Sequence, residues 1–306
     1  MEYIISPLCN RYGTIIETQD KRDILALDRS VVARQFTQSS LVLVRGFDID
    51  PERFRQFTAQ FGSDFHTYAA GHWKRRKIDG LSDHMEVTPG TRMVVPHGEL
   101  TYTASSPRIL WFYCHQPADT GGETTVYDGV EYLAALPQAL RDLLREHRLE
   151  YTTEYPESRW PDLFETAELA EVERVCKESG LEYEVRREAG GLAVRTRYRC
   201  SAILRSQMSG EPTFVNYILS SLGGERLGFE NVAKVRLEGG RTLPEKTYEE
   251  LMAVGEQVVT PVAWRKGDVL MIDNTRFLHG RRSFTGPREV HLRMCRKVAP
   301  DLQVRA

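Results

Sequence analysis

The segment Met93-Val94-Val95-Pro96-His97-Gly98-Glu99-Leu100-Thr101-Tyr102 carries two potential metal ligands two residues apart. Apolar residues precede His97 and follow Glu99, which is typical of a β-strand. Because residues i and i+2 of a strand project from the same face, we expect His97 and Glu99 to point into one barrel, with Gly98 facing away. The segment therefore predicts a β-rich fold with a metal site inside it.

A second His-x-Glu pattern, His84-Met85-Glu86, competes with the first. With eight histidines and about one acidic residue in seven, roughly one such pattern is expected by chance. Ser82, Asp83 and Pro89-Gly90 around it indicate a loop and not a strand. We therefore interpret His84 as a surface or lid histidine, and His97 with Glu99 as the ligand pair.

A third ligand is offered by Asp273-Asn274-Thr275-Arg276-Phe277-Leu278-His279-Gly280-Arg281, which follows an apolar strand at 269–272. A lone histidine there is more often structural. If it meets His97 and Glu99, two imidazoles and one carboxylate leave half of an octahedral metal open. Non-heme Fe(II) oxygenases use that arrangement to bind a co-substrate and O₂ side by side.

The strand that follows His279 offers a partner for an anionic co-substrate. Arg288 shares alternation parity with Val290, Leu292 and Met294, so we expect it to face the apolar interior, whereas Arg293 shares parity with polar residues. A buried guanidinium fits a dicarboxylate ligand well. A salt bridge to a protein carboxylate is the alternative for Arg288, and Arg293 stays a second candidate for the co-substrate.

Composition and charge favour a globular protein that acts on a small molecule. The chain has 306 residues, 41% of them hydrophobic, and a net charge of −2 from 41 basic and 43 acidic residues, which gives no field for nucleic acid or anionic lipid. We find no apolar run long enough for a membrane span and no signal-peptide layout, and expect a cytoplasmic protein. Five scattered cysteines, without a Cys-x-x-Cys pair, are expected to be reduced.

The order of predicted elements indicates the fold class. Strands dominate up to about residue 128, a helical insert is expected at about 129–182, and short strands return up to about 299. The basic, polar segment at about 71–90 is interpreted as a lid-like loop with a solvated charge run, Lys74-Arg75-Arg76-Lys77. We predict one mainly β jelly-roll domain over 1–306, and not a doubly wound α/β fold, since no glycine-rich phosphate loop is present.

The chain resembles the Fe(II)/2-oxoglutarate-dependent dioxygenases of the taurine dioxygenase (TauD/TfdA) superfamily. Within it, the resemblance is to hydroxylases of peptide natural-product pathways typified by the syringomycin-pathway aspartyl β-hydroxylase. The matching motifs extend from about 40 to 295 and occur in order: Val44-Arg45-Gly46-Phe47, Pro96-His97-Gly98-Glu99 with Tyr102, Gly121-Gly122-Glu123-Thr124, Trp160 with Phe164-Glu165-Thr166, Glu171-Val172-Glu173 with Cys176, Phe214-Val215-Asn216, and His279-Gly280-Arg281-Arg282 with Gly286-Pro287-Arg288.

The resemblance implies a clavaminate synthase-like double-stranded β-helix with His97, Glu99 and His279 as iron ligands. It also implies that Thr124 helps to hold 2-oxoglutarate and that Arg288 pairs with its distal carboxylate. Three further positions are implied as substrate contacts: Asn216, Tyr102 and Arg281. Two departures, Tyr217-Ile218 after Asn216 and Arg293 in place of a small or apolar residue, lie where substrate should bind. The substrate is therefore expected to differ from the aspartyl group of typical members.

The implied reaction uses Fe(II), 2-oxoglutarate and O₂, releases succinate and CO₂, and hydroxylates an unactivated C–H of an amino acid or an amino-acid-derived natural-product intermediate. Desaturation or oxidative cyclisation with the same cofactors stays open, as does a carrier-protein-tethered substrate. Glu99 argues against a halogenase, in which chloride takes the carboxylate's position. Two rivals of other classes are a jelly-roll Zn²⁺-dependent hydrolase or isomerase and a non-catalytic metal-binding module. The substrate, the attacked carbon and the oligomeric state are not determined by the sequence.

Overall fold

The computed structural model describes residues 3–66, 75–188, 190–229 and 232–302. Its strands are β1 (Ile4–Pro7), β2 (Thr14–Glu17), β3 (Leu41–Arg45), β4 (Gly62–Phe65), β5 (Lys77–Ile78), β6 (Leu81–Glu86), β7 (Val94–His97), β8 (Ile109–Gln116), β9 (Thr120–Gly121), β10 (Thr124–Asp128), β11 (Leu149–Pro156), β12 (Glu182–Glu188), β13 (Gly191–Cys200), β14 (Leu204–Arg205), β15 (Pro212–Thr213), β16 (Lys234–Leu237), β17 (Val259–Val262), β18 (Val269–Asp273), β19 (Phe277–Arg281), β20 (Phe284–Thr285) and β21 (Glu289–Val298). Its α-helices are α1 (Arg29–Ser39), α2 (Pro51–Ala59), α3 (Gly129–Ala135), α4 (Gln138–Glu146), α5 (Trp160–Leu163), α6 (Leu169–Glu178), α7 (Ile218–Arg226) and α8 (Thr247–Val258).

Two sheets form the two layers of a β-sandwich. The larger sheet has the strand order β1-β2-β3-β18-β8-β21-β6-β5, with β4 paired to β21, and the smaller has the order β17-β10-β19-β7. Alternate side chains of both sheets meet in one buried apolar cluster, which includes Phe112, Leu270 and Leu292 of the larger sheet and Val126 and Phe277 of the smaller. This packing of two inner faces confirms the predicted jelly-roll.

The first two α-helices cover the outer face of the larger sheet. Asp50 caps α2 by accepting a hydrogen bond from the Arg53 N–H, and Pro51 occupies the first helical position. The helical spacing of Phe54, Phe57 and Phe61 buries all three rings against Trp111 and its neighbours. The outer face of the larger sheet is thus covered, whereas Phe112 and Leu292 on its inner face line a pocket between the two sheets.

The region predicted as a helical insert, 129–182, contains four α-helices but also a strand. β11 runs from 149 to 156, so the helix prediction is wrong there. It pairs with β13 and β16 in a third sheet of order β12-β13-β11-β16. Tyr151 and Tyr155 alternate with polar residues along β11 and are buried, a strand pattern within a segment of otherwise helical composition. The single domain over 1–306 stays a prediction.

The predicted lid at 71–90 is largely not a loop. Residues 71–74 lie outside the described residues, and β5 and β6 form a hairpin at the edge of the larger sheet, where β6 pairs with β21. His84, expected at the surface, is fully buried on β6, and its Nε2 lies 3.1 Å from Nδ1 of His291. Burial, followed by the proximity of His291, lowers the pKa of His84 to about 3. Among the described residues of this segment, the irregular parts are 75–76, the turn at 79–80 and the stretch after β6 up to β7.

Candidate metal centre

The smaller sheet brings the two predicted ligand segments together. β7 and β19 are antiparallel neighbours, and His97 lies directly opposite His279 in their register. β7 ends at His97, so Glu99 lies in the following turn and not on the strand as predicted. Gly98 packs so closely against Val215 that a Cβ atom would lie 2.7 Å from its methyl group. A glycine there lets the chain turn and return Glu99 towards the two histidines.

The three side chains form a compact, buried group. Oε2 of Glu99 lies 3.9 Å from Nε2 of His97 and 3.7 Å from Nε2 of His279. One ligand atom from each residue can be chosen so that all lie within 4.8 Å of one another. Two imidazoles and one carboxylate at such separations fit a divalent transition metal with open coordination positions.

The protonation states also fit a metal. Nδ1 of His97 lies 2.9 Å from the carbonyl oxygen of Val95, which leaves Nε2 as the acceptor on the side of Glu99. Burial, together with His279, lowers the pKa of His97 to about 3, so the ring is neutral. Burial raises the pKa of Glu99, but Arg75 and both histidines outweigh this and hold the pKa far below its usual range. Nδ1 of His279 is buried without a hydrogen-bond partner among the described residues.

Arg75 is a site residue that the sequence interpretation missed. Its Nη2 lies 3.2 and 3.3 Å from the two carboxylate oxygens of Glu99, and its side chain is only 5% exposed. Its neighbours Arg76 and Lys77 form more exposed ion pairs, with Glu86 and Glu165. The solvated-run interpretation of 74–77 is therefore wrong for Arg75. Nothing in the sequence distinguishes this one buried arginine from the basic residues on either side of it.

Asn274 is the second residue that was missed. Its side-chain oxygen accepts a hydrogen bond of 2.9 Å from the Glu99 N–H, and its NH₂ group donates to the Glu99 carbonyl oxygen at 3.0 Å. The same NH₂ group lies within hydrogen-bond distance of Pro107 O and Ser106 Oγ. Asn274 thus fixes the backbone of Glu99 from the turn that leads into β19.

A small pocket of about 40 Å³ continues from the three ligands between the sheets, and Thr124, Arg288 and Leu292 contribute to its wall. Nε of Arg288 donates to the carbonyl oxygen of Gly122 at 3.0 Å, and within the described residues no carboxylate forms an ion pair with it. Burial and the neighbouring Arg281 lower the pKa of Arg288 to about 10. The alternative of a salt bridge to a protein carboxylate is therefore not found. Oγ1 of Thr124 accepts from Nε1 of Trp264 at 3.1 Å.

Arg293 does not reach this pocket, which corrects its choice as a second co-substrate candidate. Its side chain lies on the opposite face of the larger sheet, paired with Asp83 and donating to Thr58 Oγ1 at the end of α2. The guanidinium also stacks on Phe65, 3.6 Å from the ring centroid. Because side chains alternate between the two faces along β21 and the residue before it, Arg288 and Arg293 lie on opposite faces of the larger sheet.

Two of the three residues predicted to contact substrate, Asn216 and Tyr102, are buried and contact other parts of the protein. Asn216 is buried, donates to Ala202 O and accepts from the Ile218 N–H at the start of α7. Tyr102 is buried against Tyr217, and the ring of Tyr217 also contacts His97. Arg281 does border the site, but its guanidinium donates to the carbonyl oxygens of Thr88, Gly90 and Arg92. It holds the loop before β7 against β19.

Comparison with known proteins gives the family. The model of the taurine catabolism dioxygenase TauD, TfdA family matches residues 5–296. The chain belongs to the TauD/TfdA dioxygenase family. It is 24% identical over 288 residues to the dapdiamide synthesis protein DdaC of Enterobacter agglomerans, covering 87% of this chain and 85% of that protein.

Solved structures of similar fold agree with this family. One is PvcB of Pseudomonas aeruginosa, described as an Fe, alpha-ketoglutarate dependent oxygenase from an isonitrile synthetic pathway, with a TM-score of 0.56, 17% identity and coverage of 95% of this chain and 90% of that one. Another is AAD-2 in complex with Mn(II) and N-oxalylglycine, with a TM-score of 0.60, 14% identity and coverage of 98% and 100%.

As a TauD/TfdA family member, the protein is an Fe(II)/2-oxoglutarate-dependent dioxygenase. The hydrolase, isomerase and non-catalytic alternatives are therefore wrong. Among the described residues, no helix is both long enough and apolar enough to cross a membrane.

Proposed function

We propose that His97, Glu99 and His279 bind the iron and that Arg288 and Thr124 bind 2-oxoglutarate. The observation that carries this assignment is the shared pocket: the three ligand residues, with ligand atoms within 4.8 Å of one another, line one cavity between the sheets together with the Arg288 guanidinium, which has no ion pair among the described residues. A buried guanidinium favours a carboxylate partner strongly because little water competes for either charge. When bound, iron with 2-oxoglutarate supplies an O₂-derived oxidant and releases succinate and CO₂.

The protein's own residues position these groups and restrict water. Asn274 holds the backbone of Glu99, Val95 sets the ring orientation of His97, and Arg75 keeps the Glu99 carboxylate ionised. Phe112 and Leu292 supply the apolar part of the inner wall. The buried position of the ligands limits water to the face where substrate enters.

The reaction proposed is hydroxylation of an unactivated C–H of an amino acid or an amino-acid-derived natural-product intermediate. Family membership and similarity to DdaC, a protein of dapdiamide synthesis, support a biosynthetic oxidation. Desaturation and oxidative cyclisation use the same cofactors and differ in the fate of the substrate.

A substrate panel tests this proposal. Iron-loaded protein is incubated with 2-oxoglutarate, O₂ and free amino acids, small peptides or carrier-bound aminoacyl thioesters, while succinate and product mass are measured. We expect one class to stimulate succinate release and to gain one oxygen atom. A product that loses two hydrogens instead would identify desaturation or ring formation. A panel with no stimulation by any class would contradict the proposed substrate group.

A further inference from the structure

A larger cleft opens from the outside onto two of the three proposed ligands, His97 and Glu99. Its volume is about 480 Å³, and it shares His97, Glu99, Arg75 and Arg281 with the small inner pocket. Cavities of roughly 300–1,000 Å³ are typical of sites for drug-sized ligands. A compact free amino acid would leave most of this volume empty.

The cleft lies between two walls, and its lining is mainly apolar. One is the loop and strand from Thr88 to Val95, and the other is α7 with the residues that follow it. On α7, Gly223 and Gly224 present backbone to the cleft, and Ser220 a small side chain. The mouth carries Met93, Leu227 and Phe229, which are 45%, 64% and 42% exposed.

The clustering of these apolar side chains is unusual for this surface. Of the six strongly exposed large hydrophobic residues in the described part of the chain, these three line this one cleft. Scattered exposed apolar residues are ordinary, whereas a group at the mouth of a cavity indicates a ligand surface.

The charged residues of the cleft are cationic, apart from the proposed iron ligand Glu99. Arg281 donates hydrogen bonds to three backbone carbonyl groups, and Arg75 forms an ion pair with Glu99. Arg92 differs from both: it is exposed at the cleft and, over the residues that the structure describes, has no ion pair. It is placed to receive an anionic group at the rim.

We propose that this cleft binds the substrate and that the substrate is an amphipathic anion. Its apolar body lies along α7 and over the Phe229 side of the mouth, and its carboxylate or phosphate pairs with Arg92. This inference rests on the proposed function, because it assumes that the oxidised carbon lies next to His97, Glu99 and His279. The anion belongs either to a free acid or to the phosphate of a carrier-attached pantetheine arm.

Binding is measured by anaerobic titration calorimetry of the Fe(II)- and 2-oxoglutarate-loaded protein. The probes are N-acylglycines of increasing chain length, their methyl esters, and an acyl pantetheine with and without its 4′-phosphate. We expect affinity to rise about fourfold for each methylene that enters the cleft. Acid or phosphate should bind about threefold or more tighter than the neutral counterpart, and this preference should decline with added salt because Arg92 is exposed.

Two substitutions locate the binding surface. Ser220→Trp should fill the cleft and reduce binding of the longest probe at least tenfold, whereas Ala139→Trp, on the exposed side of α4, should not. Arg92→Glu should abolish the preference for the anion, with Arg92→Lys retaining part of it and Arg34→Glu, exposed on α1, serving as the charge control.

The probes also separate the two sources of the anion. Tighter binding of the phosphorylated pantetheine thioester than of any N-acylglycine indicates a carrier-attached substrate, and the reverse order indicates a free acid. Equal binding of anions and neutral probes, or an unchanged affinity in Ser220→Trp, would overturn the proposal. Each variant is first loaded anaerobically with Fe(II) and 2-oxoglutarate and checked for a weak visible charge-transfer band, which shows that the iron site is intact. Absence of this band in the wild-type protein would instead refute the proposed function.

Discussion

The Asn274 amide holds both backbone hydrogen-bonding groups of Glu99, accepting from its N–H at 2.9 Å and donating to its carbonyl oxygen at 3.0 Å. Glu99 lies beyond the end of β7, so no sheet hydrogen bond fixes it. Ser106 Oγ also donates to the Glu99 carbonyl oxygen, but Asn274 contacts both backbone groups and lies five positions before His279 in the chain. One short turn therefore positions the proposed carboxylate ligand and begins the strand that carries a proposed histidine ligand.

Replacement of Asn274 by Ala should weaken Fe(II) binding about 10- to 100-fold, the range typical of residues that orient metal ligands. The Glu99 N–H would lose its partner, the Glu99 carbonyl oxygen would keep only the hydrogen bond from Ser106 Oγ, and the carboxylate would be held less firmly. Anaerobic Fe(II) titration measures the change, and Asn10→Ala, on the exposed N-terminal side of β2, is the control. Unchanged affinity in folded Asn274→Ala protein would show that Glu99 is positioned by other contacts.

Arg288 and Arg293 should respond differently to the same substitution. Loss of a buried guanidinium that pairs with a carboxylate costs about 2–3 kcal/mol, so Arg288→Ala should raise the KM for 2-oxoglutarate about 30- to 150-fold. Arg293→Ala removes a partner of Asp83 and should lower the melting temperature, with little change in that KM. Steady-state kinetics and thermal unfolding of both variants check this, and equal KM changes would refute the assignment of Arg288.

His84 should make the protein sensitive to mild acid. Burial and His291 lower its pKa from 6.5 to about 3. Between these two pH values, the unfolded chain binds a proton at His84 that the folded protein does not. Stability from this group is therefore lost as pH falls below about 6.5. At pH 5, the resulting loss in the free energy of unfolding is on the order of 2 kcal/mol.

The measurement is the difference in melting temperature between pH 7.5 and pH 5. We expect His84→Gln to reduce this difference, because the amide retains hydrogen-bonding capacity but does not titrate. His147→Gln, at the end of α4, is the matched control. A pH dependence identical to that of the wild-type protein would show that His84 does not contribute.

The periodic features of this fold can be predicted from the sequence, whereas the contacts that support the site cannot. Alternation along β21 predicts that Arg288 and Arg293 face opposite sides, as the structure places them. The hairpin at 77–86 was not predicted, because its pairing with β21 depends on a neighbour some 200 positions away. Nor does local pattern distinguish Arg75 from its basic neighbours, since only the folded chain brings it to Glu99. Long-range contacts of this kind leave no periodic signal in a single sequence.

Anaerobic addition of Fe(II) and 2-oxoglutarate, followed by visible spectroscopy, tests the central assignment most directly. The wild-type protein should bind one Fe(II) and develop a weak visible charge-transfer band when 2-oxoglutarate is added. His97→Ala and His279→Ala should lose the band, and Arg288→Ala should require more 2-oxoglutarate to reach it. A fully iron-loaded wild-type protein without this band, or a normal band in both histidine variants, would contradict the assignment of His97, Glu99 and His279 as the iron site.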